Sequence, residues 1–247
     1  HMSYVVESMN NKKSHYYQVD EYYNATYNRS AETVKLLAFD RYQESFFDSG
    51  YISKDRNSIS MGVTNEPAEY VTSEDYGILA FVRLGQLWMY RYNDSSLTNI
   101  FSYPQDSYSD ARTLNTNLDI NIADMDEDGN IYFVVYGYMN RGVHEGKNGM
   151  SLYYYSAENM TTQELFFVEC DESYDIMKKE TGRFTYYNAQ TNTFYYLLDE
   201  TLYEVSLTDM TQTVIVEGIP SAKYLVSANR KLVAYPNTAE DENVTTI

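Results

Sequence analysis

The chain has 247 residues, with 18 Lys and Arg against 36 Asp and Glu, giving a formal net charge of −18. A hydrophobic fraction of 43% is enough to bury a core and excludes global disorder. The acidic balance argues against nucleic acid held through its phosphates and against simple attraction to anionic lipid.

At the start, His1-Met2 reads as the remnant of an expression tag, so a natural leader or anchor would already have been removed. Residues 16–28 are Tyr-rich and polar. Residues 31–47 contain Val34, Leu37, Ala38, Tyr42 and Phe46 near helical spacing, with Ser49-Gly50 as a stop. The same stretch also reads as strands at 34–39 and 43–47, and this reading is favoured because 51–53 and 58–63 nearby look like strands.

From residue 65 onward the chain repeats itself. One copy runs Ser73-Glu74-Asp75-Tyr76-Gly77, then apolar runs at 78–82, 87–92 and 97–103. A second starts at Asp126-Glu127-Asp128-Gly129-Asn130, with runs at 131–138, 152–155 and 161–168. A third starts at 188–192, with runs at 193–198, 202–207 and 211–217. A partial fourth, from Ser227, is followed by 231–235. A further strand precedes each copy, at about 68–72, 118–123, 183–187 and 223–226. The runs are short, rich in Tyr, Phe, Val, Ile and Leu, and bounded by Asn, Asp, Gly and Ser, as strands are. The links Leu84-Gly85-Gln86 and Asp199-Glu200-Thr201 have hairpin length. The runs 131–136 and 194–198 are apolar on both faces, so each must lie between two packed layers. Four strands per unit at a spacing of roughly 40–60 residues is the period of a propeller.

This order of turn, apolar strand, hairpin, Leu-Tyr strand, Asp/Asn-rich turn and Thr-containing strand resembles the blades of TolB-like and related irregular β-propellers. Residues 73–103 and 188–218 carry the resemblance best. The stretch 124–148 is similar to extracytoplasmic propeller proteins of anaerobic Gram-positive bacteria. The resemblance implies an all-β, β-propeller-like fold of about four blades of four-stranded antiparallel sheet. The blades would fall at about 66–104, 117–169 and 182–218, with a partial one at 222–247 and residues 3–64 as a first blade or closing strands. The copies are unevenly spaced, Phe81 to Phe133 being 52 residues and Phe133 to Tyr195 being 62. Either N-terminal strands complete the last blade or the chain is a fragment of a larger propeller. The fragment is favoured.

Two stretches carry candidate chemistry. Asp124, Asp126 and Asp128 alternate ahead of Gly129 like the first half of a calcium loop. The positions for later ligands are Tyr132 and Val135, though, and residues 73–77 occupy the same place without that set, so an ordinary acidic turn competes with a Ca2+ site. The enlarged link 137–149 holds Asn140, Arg141, His144, Glu145 and Lys147, a polar set suited to a glycan or protein contact. No Gly-x-Ser-x-Gly elbow, Gly-rich phosphate loop or His/Cys metal cluster occurs. The single cysteine, Cys170, reads as a small buried hydrophobe. The expectation is a non-catalytic, extracytoplasmic binding or scaffold domain that presents loops to a protein or cell-envelope partner. The alternative is a carbohydrate-binding or glycoside-hydrolysing propeller that uses Trp88 and a pair of carboxylates.

Overall fold

The computed structural model describes residues 1–10, 12–102, 117–221, 223–227, 230–236 and 245–246. The acidic stretch 240–243 and the expected end of the first repeat at 103–104 lie outside the described residues.

Three long strands open the chain: β1 (Met2–Asn10), β2 (Lys13–Asn28) and β3 (Thr33–Ser45) form one antiparallel sheet in that order. The helical alternative for 31–47 therefore fails. The two shorter strands merge into one of 13 residues, because cross-strand pairing runs from Tyr17–Ser45 to Asn28–Thr33 and satisfies the β2-facing backbone groups along its length. Residues 51–53 and 58–63 are not strands. They form a 3-10 turn at Ser49–Tyr51 and a single bridge between Ile52 and Ile59.

The repeats fold as blades. Strands β4 (Tyr70–Thr72), β5 (Ile78–Arg83), β6 (Gln86–Arg91) and β7 (Ser96–Phe101) form the first four-stranded antiparallel sheet. The second comprises β8 (Leu118–Met125), β9 (Ile131–Tyr138), β10 (Asn148–Ser156) and β11 (Thr161–Glu169). A short helix, α1 (Tyr174–Lys179), leads to the third: β12 (Thr185–Asn188), β13 (Thr193–Leu198), β14 (Thr201–Ser206) and β15 (Thr211–Val216). A three-stranded sheet of β16 (Leu225–Val226), β17 (Val233–Pro236) and β18 (Thr245–Thr246) follows. Each sheet is a simple meander, and the first strands β4, β8 and β12 lie side by side. The protein is an all-β chain of four-stranded blades.

The packing explains the doubly apolar strands. On β9, Ile131, Phe133 and Val135 pack with Ile78, Ala80, Leu87 and Met89 of the first blade. The alternate residues Val134 and Tyr136 face Phe194, Tyr196 and Leu198 of β13. Leu197, between them on β13, joins Phe184, Ile219 and Tyr224 in a third core. Period-2 alternation thus feeds two interfaces from one strand. Full burial of such side chains contributes roughly 1.5–3 kcal/mol each.

A recurring turn sets the entry to each second strand. Ser73 Oγ accepts from the Ile78 N–H at 2.9 Å, and Ser227 Oγ accepts from the Leu232 N–H at 3.0 Å. In the second blade Asp126 Oδ1 accepts from the N–H groups of Asp128 and Asn130 at 3.0 and 2.8 Å. Asn188 Oδ1 does so for Gln190 at 3.1 Å. A short polar side chain closing a turn onto its own backbone is what Ser, Asp and Asn do best.

Candidate functional site

A cavity of about 710 Å3 opens where the N-terminal sheet meets the first two blades and the segment leading into β12. Its wall is built from positions far apart in sequence. Tyr22 and Tyr42 come from β2 and β3, Arg83 and Gly85 from the β5–β6 hairpin, and Asp119 and Tyr136 from the second blade. Glu66 and Glu69 precede or open the first blade, while Tyr174 and Lys178 lie on α1.

The hairpin that supplies Arg83 is shaped by its turn. Leu84 and Gly85 both have positive φ, 48° and 67°, the geometry of the tight two-residue turn that matches strand twist. Arg83 is buried there. Its Nη2 donates to the carbonyls of Ser45 and Val63 at 3.0 and 3.1 Å, and Nη1 lies 3.6 Å from Glu44. Arg83 thereby fastens the N-terminal sheet to the first blade.

Two carboxyls dominate the electrostatics. Burial lifts the pKa of Glu69 to about 7, against the opposing pull of the Ile122 N–H at 2.6 Å and of Arg230 at 3.7 Å. Burial likewise lifts Asp119 to about 6, although the Ile120 N–H bonds its Oδ1 at 2.8 Å and Lys178 is near. For Lys178, burial pulls the ammonium down. Its bond to Glu66 at 2.9 Å, with Asp119 and Glu44 beyond, outweighs that and holds it above the ordinary lysine value. The phenols of Tyr136 and Tyr174, stacked 6.1 Å apart, are both pushed up chiefly by burial. Gly182 permits this arrangement, because a Cβ there would stand 2.5 Å from the Tyr136 hydroxyl.

The residues expected from the loop 137–149 divide between two places. Asn140 and Arg141 are buried and line the cavity. His144 and Lys147 turn away toward the outer strand of their own blade. His144 Nε2 lies 2.7 Å from Glu164 and its ring stacks 3.9 Å from Phe167, while Lys147 donates to Glu169 at 2.5 Å. Glu145 is exposed. The cause is the Met139 turn: Gly146 N–H bonds the Met139 carbonyl and Met139 N–H bonds Lys147, pinching the loop into two halves. Trp88 is covered by Phe47 at 5.5 Å between ring centroids.

Asp124, Asp126 and Asp128 are not brought together as a cation site. Among the described residues no group of three or more His, Cys, Asp or Glu is placed to hold a metal ion. Both oxygens of Asp126 are used by its own turn, the second by the Asn130 side chain at 2.8 Å. The Asp128 carbonyl accepts from Arg91 at 2.7 Å, and Asp124 is half-buried, its pKa raised by that burial. Cys170 is half-buried, 3.8 Å from the Met177 sulfur, and burial pushes its thiol up.

Sequence reasoning found Asn140 and Arg141 but missed Glu69, Asp119, Lys178 and Arg83. The signal for Asp119 was available: an acid between Leu118 and Ile120 at the start of an inner strand is a charge in an apolar setting.

The sequence matches no protein-family model and no curated protein. Among solved structures it is similar to the tricorn protease, with a TM-score of 0.42 and 12% identity over 94% of this chain and 18% of that one. An oligogalacturonate lyase in complex with manganese gives 0.42 and 9%, over 90% and 51%. TolB from Acinetobacter baumannii gives 0.39 and 13%, over 93% and 44%. The chain therefore spans about half or less of each of these proteins. These are likenesses of chain path, and the blade architecture rests on the sheet order itself. Among the described residues no helix is long and apolar enough to cross a membrane.

Proposed function

We propose that this chain is a non-catalytic binding or scaffold domain that works outside the cytoplasm, holding a polar group of a protein or cell-envelope partner in the cavity at the blade junction. The observation that carries this reading is the cavity wall itself. Tyrosine rings from Tyr22, Tyr42, Tyr136 and Tyr174 stand beside amides and charges of both signs, the mix that orients a polar ligand at several points. Arg141, at the mouth loop, links the cavity to the enlarged loop whose other half is displayed on the blade edge. The extracytoplasmic setting follows from the resemblance of the repeats and agrees with the acidic surface.

The second reading is carbohydrate chemistry, and one observation favours it: Glu69 and Asp119, both with raised pKa values, share the cavity. A carboxyl held protonated near neutral pH beside another is the arrangement of a glycosidic acid and its partner. A panel of immobilised glycans and envelope-derived peptides, probed with the wild-type chain and with Arg141→Ala and Asp119→Asn, separates the readings. Binding that Arg141→Ala weakens, without turnover, supports the first. Turnover of a chromogenic glycoside that Asp119→Asn abolishes supports the second. Binding that neither substitution alters places the contact away from the cavity.

A further inference from the structure

The N-terminal sheet narrows to a two-stranded ribbon. β1 covers β2 only from Lys13 to Glu21, so residues 22–28 and 33–40 pair with each other alone. On one face lie Tyr23 opposite Phe39, Ala25 opposite Leu36 and Tyr27 opposite Val34. The five large side chains among these are 46–71% exposed. The outer edge of β3 takes contacts at Gln43 and Ser45 from residues 63–65 and, among the described residues, has no neighbouring strand. An exposed apolar edge of this length is a template for another strand.

The sequence of that edge selects its occupant. The register shifts at Asn24/Ala25, so Leu37 has no counterpart on β2. This bulge puts Val34, Leu36, Phe39 and Arg41 on one face and Lys35 and Asp40 on the other. A second β3, laid antiparallel across a two-fold axis between Leu37 and Ala38, keeps both faces matched through the bulge. In that register Leu36 meets the partner's Phe39 and Lys35 meets the partner's Asp40, each contact occurring twice. Lys35 thus meets an opposite charge and Leu36 an apolar ring, while Val34 lies against the partner's Arg41. Residues 22–42 carry three cations (Arg29, Lys35, Arg41) against two anions (Glu32, Asp40), within a chain whose net charge is −18. The ribbon is therefore a part of the surface where two acidic copies can approach.

We propose that β3 is a self-association edge, at which a second copy of this chain adds its own β3 about a two-fold axis between Leu37 and Ala38. The test is sedimentation of the full chain across a dilution series, with Lys35→Asp, Asp40→Lys and the double exchange. The wild type should dimerise reversibly. Each single exchange sets like charges face to face twice and should weaken the dimer about tenfold, while Lys35→Asp with Asp40→Lys should restore it. A chain that stays monomeric, or a dimer indifferent to the single exchanges or not rescued by the double one, overturns the proposal.

Discussion

At the scale of single residues, Glu69 shows how burial and bonding compete for one proton. The Ile122 N–H and Arg230 favour the carboxylate, yet burial prevails and raises the pKa from 4.5 to about 7. The folded chain then keeps a proton that the unfolded chain releases, so stability falls as pH rises from about 4.5 to about 7 and stays lowered above that. Glu69→Gln removes the charge and retains the shape. Urea unfolding should find it little changed near pH 4 and stabilised by about 3 kcal/mol near pH 8. An equal effect at both values would show that burial is not the controlling term. Asp126 illustrates the opposite case, a carboxylate wholly occupied by its own turn. Asp126→Ala should cost about 1–2 kcal/mol by loss of these bonds, and a chelator should leave the wild-type melting midpoint where it was. A midpoint lowered by the chelator would restore the calcium reading. The motif was legible in sequence, but its use was not, because alternating acids look the same whether they face a cation or their own backbone.

Elements reveal where local propensity yields to pairing. Residues 31–47 have helical spacing and good helix formers, yet 13 residues of this stretch and its end extend as β3, since β2 offers a partner along nearly its whole length. Only the tertiary partner decides such a case, and a single segment does not display it. The hairpins were more readable. Asp199 and Glu200 form a two-residue turn with φ of 52° and 53°, a conformation that costs a non-glycine residue roughly 1 kcal/mol. Glu200→Gly relieves that strain and leaves the Glu200 N–H free to keep its 3.1 Å bond to Glu180. It should raise stability by about 1 kcal/mol in chemical denaturation, and a loss instead would mean that the Glu200 side chain contributes more than the turn costs. On β9, Phe133 is fully buried, stacked 5.3 Å from Tyr153 and edge-on to Phe101 at 5.5 Å. Phe133→Ala should cost about 3–5 kcal/mol, far more than the same change at exposed Phe39.

For the whole molecule, the doubly apolar strands and the recurring Ser, Asp and Asn turns made the blades legible, because each repeat must bury the face its neighbour offers. The cavity was not legible in the same way. Its wall draws on positions from Gln18 to Arg183, and such a meeting is set by the curvature of successive sheets, which no local pattern encodes. Arg230 shows the dependence: from the last sheet it reaches Asn121 Oδ1 at 3.1 Å, the Ile122 carbonyl at 2.7 Å and Glu69 at 3.7 Å, tying separate blades at one point. Charge acts at this scale too. A net charge of −18 repels itself over distances that salt shortens from about 10 Å at 0.1 M to about 3 Å at 1 M. Opposing this are exposed pairs such as Lys147–Glu169 and Lys178–Glu66, each worth about 0–1 kcal/mol and weakened by the same salt. The long-range repulsion involves many more charges, so it should prevail. The melting midpoint in calorimetry should rise by a few degrees across that salt range, at roughly 2–4 °C per kcal/mol for a chain of this size. A midpoint that falls would mean that the few exposed bridges outweigh the repulsion, and would make them the stronger electrostatic element of the fold.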